Sequence, residues 1–281
     1  MIDYIILNIS NFNFYEDFEL CKKQIKGKKV LFVFGDSWTN NRYIGNPKQH
    51  WCYLLKEKLN YDVVINTSND YDSNYQIFDS IKTILSDNTF PMNKKGYLDT
   101  LEDYKIVIEW STPMRDSTSV AEMYSPYNIS TIPKLNSIQA NTKLWMDYVS
   151  KWFRMEIYSY DTQKRILFLQ EFFKENKIDW YSFMGFTPLV EKQFDGTTYD
   201  LRKWIDKNRF LFLYEFPNNM QDYLLQSVEN GFNNYIGINE MQFENDRQPL
   251  FNKHNEVFTN DGHPNTKGLE MIADIVYKQI S

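Results

Sequence analysis

Lys29-Val30-Leu31-Phe32-Val33-Phe34 runs directly into Gly35-Asp36-Ser37-Trp38. A short, nearly continuous apolar run closed by a glycine turn suits a strand buried on both faces of a parallel sheet. Trp51, Leu54, Leu55 and Leu59 then follow at helical spacing within 50–59, and Val63-Val64-Ile65 reads as a second buried strand ended by Asn66-Thr67-Ser68. Ile77, Ile81, Ile84 and Leu85 share one face of a helix over 75–85, and Ile106-Val107-Ile108 forms a third strand ended by Glu109-Trp110-Ser111. Strand, helix, strand, helix, strand predicts an α/β fold with a doubly wound parallel sheet. Ligands of such sheets sit beyond the carboxyl ends of the strands. All three strands named here end in polar residues at that edge.

Further along, 112–136 is rich in Ser, Thr and Pro and reads as loop. Helices are expected over 138–151 and 162–174, and a fourth strand over 178–183. Residues 185–257 are aromatic and irregular. The last segment is an amphipathic helix over 269–280 with Ile272, Ile275, Val276 and Ile280 inward. The chain shows no internal repeat and no low-complexity linker. Its expected organisation is therefore one domain over 1–281, with insertions at roughly 112–165 and 185–257.

Composition narrows the classes of function. With 31 basic and 37 acidic residues the net charge is -6, which opposes a nucleic-acid scaffold, since phosphate binding needs clustered Lys and Arg. The densest basic stretch, Lys22, Lys23, Lys26, Lys28 and Lys29, reads as a solvated helix end and turn before a strand. Cys21 and Cys52 have no CxxC partners, so neither a zinc site nor a disulfide framework is expected. The first residues lack the basic and apolar regions of a secretory signal, and no run of apolar residues is long enough to span a membrane. The expectation is a soluble chain synthesised in the cytoplasm without a membrane partner. Aromatic residues make up 17% of the chain, which has two readings: rings that build the core, or exposed rings that stack on sugars.

Two constellations carry chemistry. In the first, Ser37 sits just past a buried strand on the Gly35-Asp36-Ser37-Trp38 turn, where its hydroxyl meets the ligand edge and its backbone N–H can face a developing oxyanion. In the second, Asp261-Gly262-His263-Pro264-Asn265 precedes Gly268 and the terminal helix. The His263 imidazole can take a proton from a serine hydroxyl, and an adjacent acid can orient the ring. His50 and His254 are read as surface or structural. Trp38 and Trp110 flank the site and read as packing or as sugar platforms. Arg115 either binds the carboxylate of an acidic sugar through its planar fork or holds the insertion in place.

A strand-borne Gly-Asp-Ser near the start and an Asp-Gly-His-Pro before the last helix resemble the SGNH/GDSL hydrolase family, in order and from end to end of the chain. The resemblance implies a flavodoxin-like three-layer sandwich with a central parallel sheet. It implies an esterase without a metal, often acting on acetyl groups of sugars, in which Ser37 is the nucleophile, His263 the base and Asp261 the acid. Three departures stand out. The family acid usually lies three residues before the histidine, where this chain has Asn260. The glycine whose N–H lines the oxyanion hole is missing from Asn66 through Asn74, which leaves Asp72 or a neighbour to donate. The Ser73-Asn74 pair there resembles the Ser-Asn that follows that glycine, and equally suits a cap on the helix from Tyr75. The third block, usually Gly-x-Asn-Asp, here reads Glu109-Trp110-Ser111-Thr112, with Ser111 in place of the Asn donor. It is similar to a variant found in bacteriophage-borne members, with Trp-Ser and an Arg a few residues later.

The expected reaction is acyl transfer from an ester, such as an O-acetyl group on a polysaccharide or a small molecule. The N–H of Ser37, an N–H near Asp72 and the Ser111 hydroxyl would hold the oxyanion. One rival is a glycan-binding protein, or a virion or homo-oligomeric component, with an eroded oxyanion hole. The other is a lipid or thioester esterase of the same fold.

Overall fold

The computed structural model describes residues 3–9, 13–40, 46–69, 72–89, 91–112, 155–186, 188–194, 197–214, 216–228, 253–260 and 262–281. In chain order these form β1 (Tyr4–Ile6), α1 (Phe14–Ile25), β2 (Lys29–Phe34), α2 (Trp51–Leu59), β3 (Val63–Asn66), α3 (Asn74–Leu85), β4 (Asp103–Trp110), α4 (Met155–Glu175) and β5 (Asp179–Met184). There follow β6 (Lys192–Phe194), β7 (Thr197–Tyr199), β8 (Phe210–Leu211), α5 (Met220–Val228) and α6 (Thr266–Ile280).

Six strands make one sheet in the order β1-β3-β2-β4-β5-β8, and every pairing in it is parallel. With the edge strand β1 set aside, this is the flavodoxin-like order, in which the chain first winds to one side of β2 and then returns to the other at β4. The gap beyond the carboxyl ends of β2 and β4 is therefore the place where a ligand crevice opens. Phe34 pairs with Ile108 at that edge, so the residues after β2 and the last residues of β4 lie side by side.

Helices cover both faces, and alternation along β2 shows it residue by residue. Val30, Phe32 and Phe34 pack into one core with Phe18 and Ile25 of α1, Ile77 and Ile81 of α3, and Leu169 and Phe173 of α4. Leu31 and Val33 pack into the other with Trp51 and Leu55 of α2, Leu224 of α5, and Ile272 and Val276 of α6. Both faces of the strand are dry, which is why it reads as a continuous apolar run rather than an alternating one. Each such side chain removed from water contributes about 1.5–3 kcal/mol. The fold class is thus α/β, a three-layer sandwich on a central parallel sheet.

Several elements differ from the sequence reading. The helix expected over 162–174 begins at Met155, and the strands end at Trp110 and Met184 rather than at 108 and 183. The expected helix over 138–151 lies outside the described residues. Within 185–257, read from sequence as irregular, the described residues hold the β6–β7 hairpin, β8 and α5. Cys21 and Cys52 are buried and unbridged. Among the described residues no helix is long and apolar enough to cross a membrane.

Candidate active site

The turn after β2 is held from within. The Asp36 carbonyl accepts from the N–H groups of Thr39 (3.0 Å) and Asn40 (2.9 Å), and Asp36 Oδ1 accepts from the Trp38 N–H (3.0 Å). Ser37 is the residue this turn presents. It is 4% exposed, and among the described residues its side chain and N–H take part in no hydrogen bond. The turn can close this tightly only because position 35 lacks a side chain. A Cβ there would lie 2.3 Å from Thr39 Oγ1 and 2.6 Å from Glu109 Oε2. Gly35→Ala should therefore destabilise the fold by about 1–3 kcal/mol, the usual cost of overpacking, read as a lower urea midpoint at an unchanged slope. A midpoint within error of the wild type would show that the turn yields freely.

The end of β4 locks onto this turn from the side. Ser111 Oγ donates to Asp36 Oδ2 at 2.6 Å, and Thr39 Oγ1 and the Asp36 N–H donate to Glu109 Oε2 at 2.5 and 3.2 Å. The Ser111 carbonyl accepts from Asn74 Nδ2 (3.1 Å), which ties the start of α3 to the same corner. Burial pushes the Glu109 carboxyl well above its ordinary value, and the negative Asp36 beside it pushes in the same direction.

These contacts correct one expectation and choose between the two readings of the tryptophans. The Ser111 hydroxyl is wholly buried and committed to Asp36, so it stands in the structure as a brace rather than as a free oxyanion donor. Trp38 and Trp110 are 3% and 1% exposed, so neither indole offers a face to a sugar. Both rings pack, because each lies between the sheet edge and the helices that cover it.

At the end of β3, Asp72 is also buried. Its Oδ2 accepts from the backbone N–H and the side-chain Nδ2 of Asn69, both at 3.1 Å, and its own N–H points back to the Asn69 carbonyl at 3.4 Å. That N–H closes a local turn, and the length of the contact leaves it weakly held. Ser73 forms a full capping box with Gln76 at the start of α3, so of the two readings of Ser73-Asn74 the helix cap is the one present.

The His263 segment is shaped by a bridge between Phe258 and Pro264 and by a turn in which Gly262 adopts φ +84°. The Thr259 N–H and hydroxyl both donate to the His263 carbonyl (2.8 and 2.9 Å), while Asn265 caps α6 by accepting from the Gly268 N–H (3.1 Å). This segment meets the Ser37 turn through aromatic rings. Trp38 packs edge-on against Phe186 after β5, with centroids 4.5 Å apart, and tilted against Phe258 at 5.8 Å. Asp261 and Arg115 lie outside the described residues. His50 and His254 are both buried, so the structural reading of each holds and the surface one does not. His50 Nδ1 accepts from the Cys52 N–H at the start of α2 (3.4 Å), and desolvation lowers the ring's pKa to about 3, so the ring is neutral.

Sequence reasoning missed Glu109, Thr39, Phe186 and Phe258 as parts of this corner. For Glu109 a signal was present: an acidic residue directly after Ile106-Val107-Ile108, where the strand is buried on both faces. For the rings no local signal exists, since they come together from distant elements. The arrangement offers a serine hydroxyl at the switch point of the sheet, with an imidazole-bearing segment joined to the same turn.

No family model matches the chain, and no curated protein sequence matches it. Among solved structures, it is similar to a member of the lipolytic protein G-D-S-L family from Veillonella parvula, at 14% identity over 89% of this chain and 97% of that one, with a TM-score of 0.34. It is similar to the psychrotrophic esterase EstA from a Pseudoalteromonas species at 12% identity, covering 89% and 96%, with a TM-score of 0.37. It is also similar to an acetyl xylan esterase at 12% identity, covering 90% and 100%, with a TM-score of 0.37.

Proposed function

We propose that this chain is a serine hydrolase of the SGNH/GDSL type that cleaves carboxylic esters, with Ser37 as nucleophile, His263 as base and Asp261 as the acid that orients it. The observation that carries the reading is the placement of Ser37, on a glycine turn at the carboxyl edge of β2, beside β4 and coupled through Trp38 and Phe258 to the His263 segment. The sequence motifs around Ser37 and His263 support the same assignment.

The chemistry follows from those roles. Ser37 Oγ attacks the ester carbonyl carbon while His263 accepts its proton. The tetrahedral oxyanion collapses, and the alcohol leaves with the proton that His263 returns to it. A water, activated by the same imidazole, then attacks the acyl-serine, and the acid is released as Ser37 regains its proton. In this reading the Ser37 N–H is the first oxyanion donor. The Asp72 N–H joins it by giving up its long contact with Asn69. We assign the substrate as an O-acetyl ester on a carbohydrate, on the strength of the motif resemblance.

A second reading is a glycan-binding protein with a disabled site. It is favoured by one observation, that the Ser111 hydroxyl donates to Asp36 instead of standing free. Loss of a single oxyanion donor costs roughly 100- to 1000-fold in rate. Reaction of the purified protein with a fluorophosphonate separates the two. The hydrolase gives a covalent adduct that peptide mapping locates at Ser37, and acetate appears when acetylated xylan or another acetylated glycan is supplied. A folded protein that takes no adduct and releases no acetate is the binding module.

A further inference from the structure

Behind the nucleophile turn lies a carboxyl group that the acyl-transfer chemistry does not use. Glu109 is 1% exposed; its Oε2 accepts from the Asp36 N–H and Thr39 Oγ1, while its Oε1 is buried with no hydrogen-bond partner among the described residues. Burial with that oxygen unpartnered keeps Glu109 in the neutral form, beside an Asp36 whose Oδ1 and Oδ2 accept from the Trp38 N–H and Ser111 Oγ. The space is shaped for this group. A Cβ at Gly35 would lie 2.6 Å from Glu109 Oε2, and one at Gly185 would lie 2.3 Å from Oε1, so the chain after β2 and after β5 is left bare where the carboxyl sits. The Gly185 N–H in turn donates to the Trp110 carbonyl (2.8 Å), which holds that wall against β4.

We propose that Glu109 is a positioning residue: a neutral carboxylic acid whose Oε2, accepting from the Asp36 N–H and Thr39 Oγ1, clamps the 35–39 turn and holds Ser37 in the crevice for as long as the group keeps its proton. The titratable groups that face it are few. Asp36 comes from the turn after β2, and Cys52 comes from α2, its thiol pushed well above its ordinary value by burial. The wall after β5 contributes Gly185 and no charge. The start of α5 reaches that wall through the Gln221 N–H on the Gly185 carbonyl (2.9 Å), but its Asp222 carboxyl is turned to Asn219 Nδ2 (2.8 Å). Ionising Glu109 would set a second carboxylate beside that of Asp36 in a water-poor space.

The sign of the pH effect follows. The folded-state pKa of Glu109 is raised above its ordinary 4.5, so its contribution to stability is full below that pH and is lost as pH rises toward the folded value. Glu109→Gln keeps the size and the acceptor for the Asp36 N–H and Thr39 Oγ1, but has no proton to lose. Thermal midpoints of wild type and variant, measured from about pH 5 to about pH 9, should diverge, with the wild type losing about 3 °C per pH unit relative to the variant. In a parallel assay, which rests on the hydrolase reading, phosphonate labelling of Ser37 should stay within about threefold of wild type in Glu109→Gln and fall more than about tenfold in Glu109→Ala. Midpoints that run parallel across the range overturn the proposal, whether or not Ser37 is reactive. So does a Glu109→Gln variant that loses as much labelling as Glu109→Ala. A wild type that takes no label overturns the hydrolase reading alone, and the midpoints still decide the role of Glu109.

Discussion

Replacing Ser37 with alanine should lower ester turnover by about 10⁵-fold, and adding His263→Ala to it should lower turnover little further. The size of the first loss reflects what the hydroxyl does. Without Oγ there is no acyl-enzyme route, and what remains is a bound ester exposed to water and to the turn's N–H groups. The near absence of a second loss is the sharper expectation. In the proposed reaction His263 takes the proton of Ser37 and gives it to the leaving alcohol, so once the nucleophile is gone the imidazole has nothing to activate. Single variants should therefore each cost nearly as much as the pair. Steady-state hydrolysis of an activated acetate ester measures all three, with the thermal midpoint of each variant as the check on folding. Two large losses that multiply in the double variant would mean that the residues act at separate steps, and the shared proton transfer would be wrong. A Ser37→Ala protein with more than about a tenth of wild-type turnover would remove Ser37 from the chemistry altogether.

The fold was legible where the physics is local. β2, β3 and β4 are buried on both faces, so each leaves an unbroken apolar run that needs no partner to be recognised. α6 announces itself by its inward face. β1 and β8 were not legible because three and two residues carry no period, and only their pairing with β3 and β5 makes them strands. α1 was read only at its end: Lys22 through Lys29 marked a solvated helix end and turn before β2, as found, while the buried face of Phe14, Phe18, Cys21 and Ile25 went unread because the lysines lie among and after it. The site divides in the same way. Ser37 and His263 stand out because each sits in a short motif with its own turn chemistry. The brace of Asp36, Glu109 and Ser111 does not, since it joins residues more than seventy positions apart that meet only when β2 and β4 pair. The two tryptophans show the converse limit: their place in the sequence beside the site was clear, but whether a ring faces water is decided by what the rest of the chain lays over it.

Trp38→Ala should be the most damaging change that leaves the reacting groups untouched. Its indole is buried between Phe186 and Phe258, and its carbonyl accepts from Trp51 Nε1 at 3.0 Å, so the residue joins the nucleophile turn to the strand-end wall, to the His263 segment and to α2. Truncation leaves a void that the sheet edge cannot close, at a cost of about 3–5 kcal/mol and a fall in midpoint of roughly 10 °C. Packing alone predicts that much and no more. The coupling to Phe258 predicts a second effect: with the ring gone, the His263 segment loses its contact with the turn, and a displacement of about 1 Å in a proton-transfer pair is enough to cost roughly 100-fold in turnover. Trp38→Phe separates the two. A smaller ring still forfeits part of the packing energy but keeps an aromatic face toward Phe258, so its stability should fall while turnover at saturating substrate stays within about tenfold of wild type. Should Trp38→Ala remain folded and hydrolyse esters as fast as the wild type, the ring is a core residue only, and the two motifs must be brought together by the backbone of the Phe258–Pro264 bridge without its help.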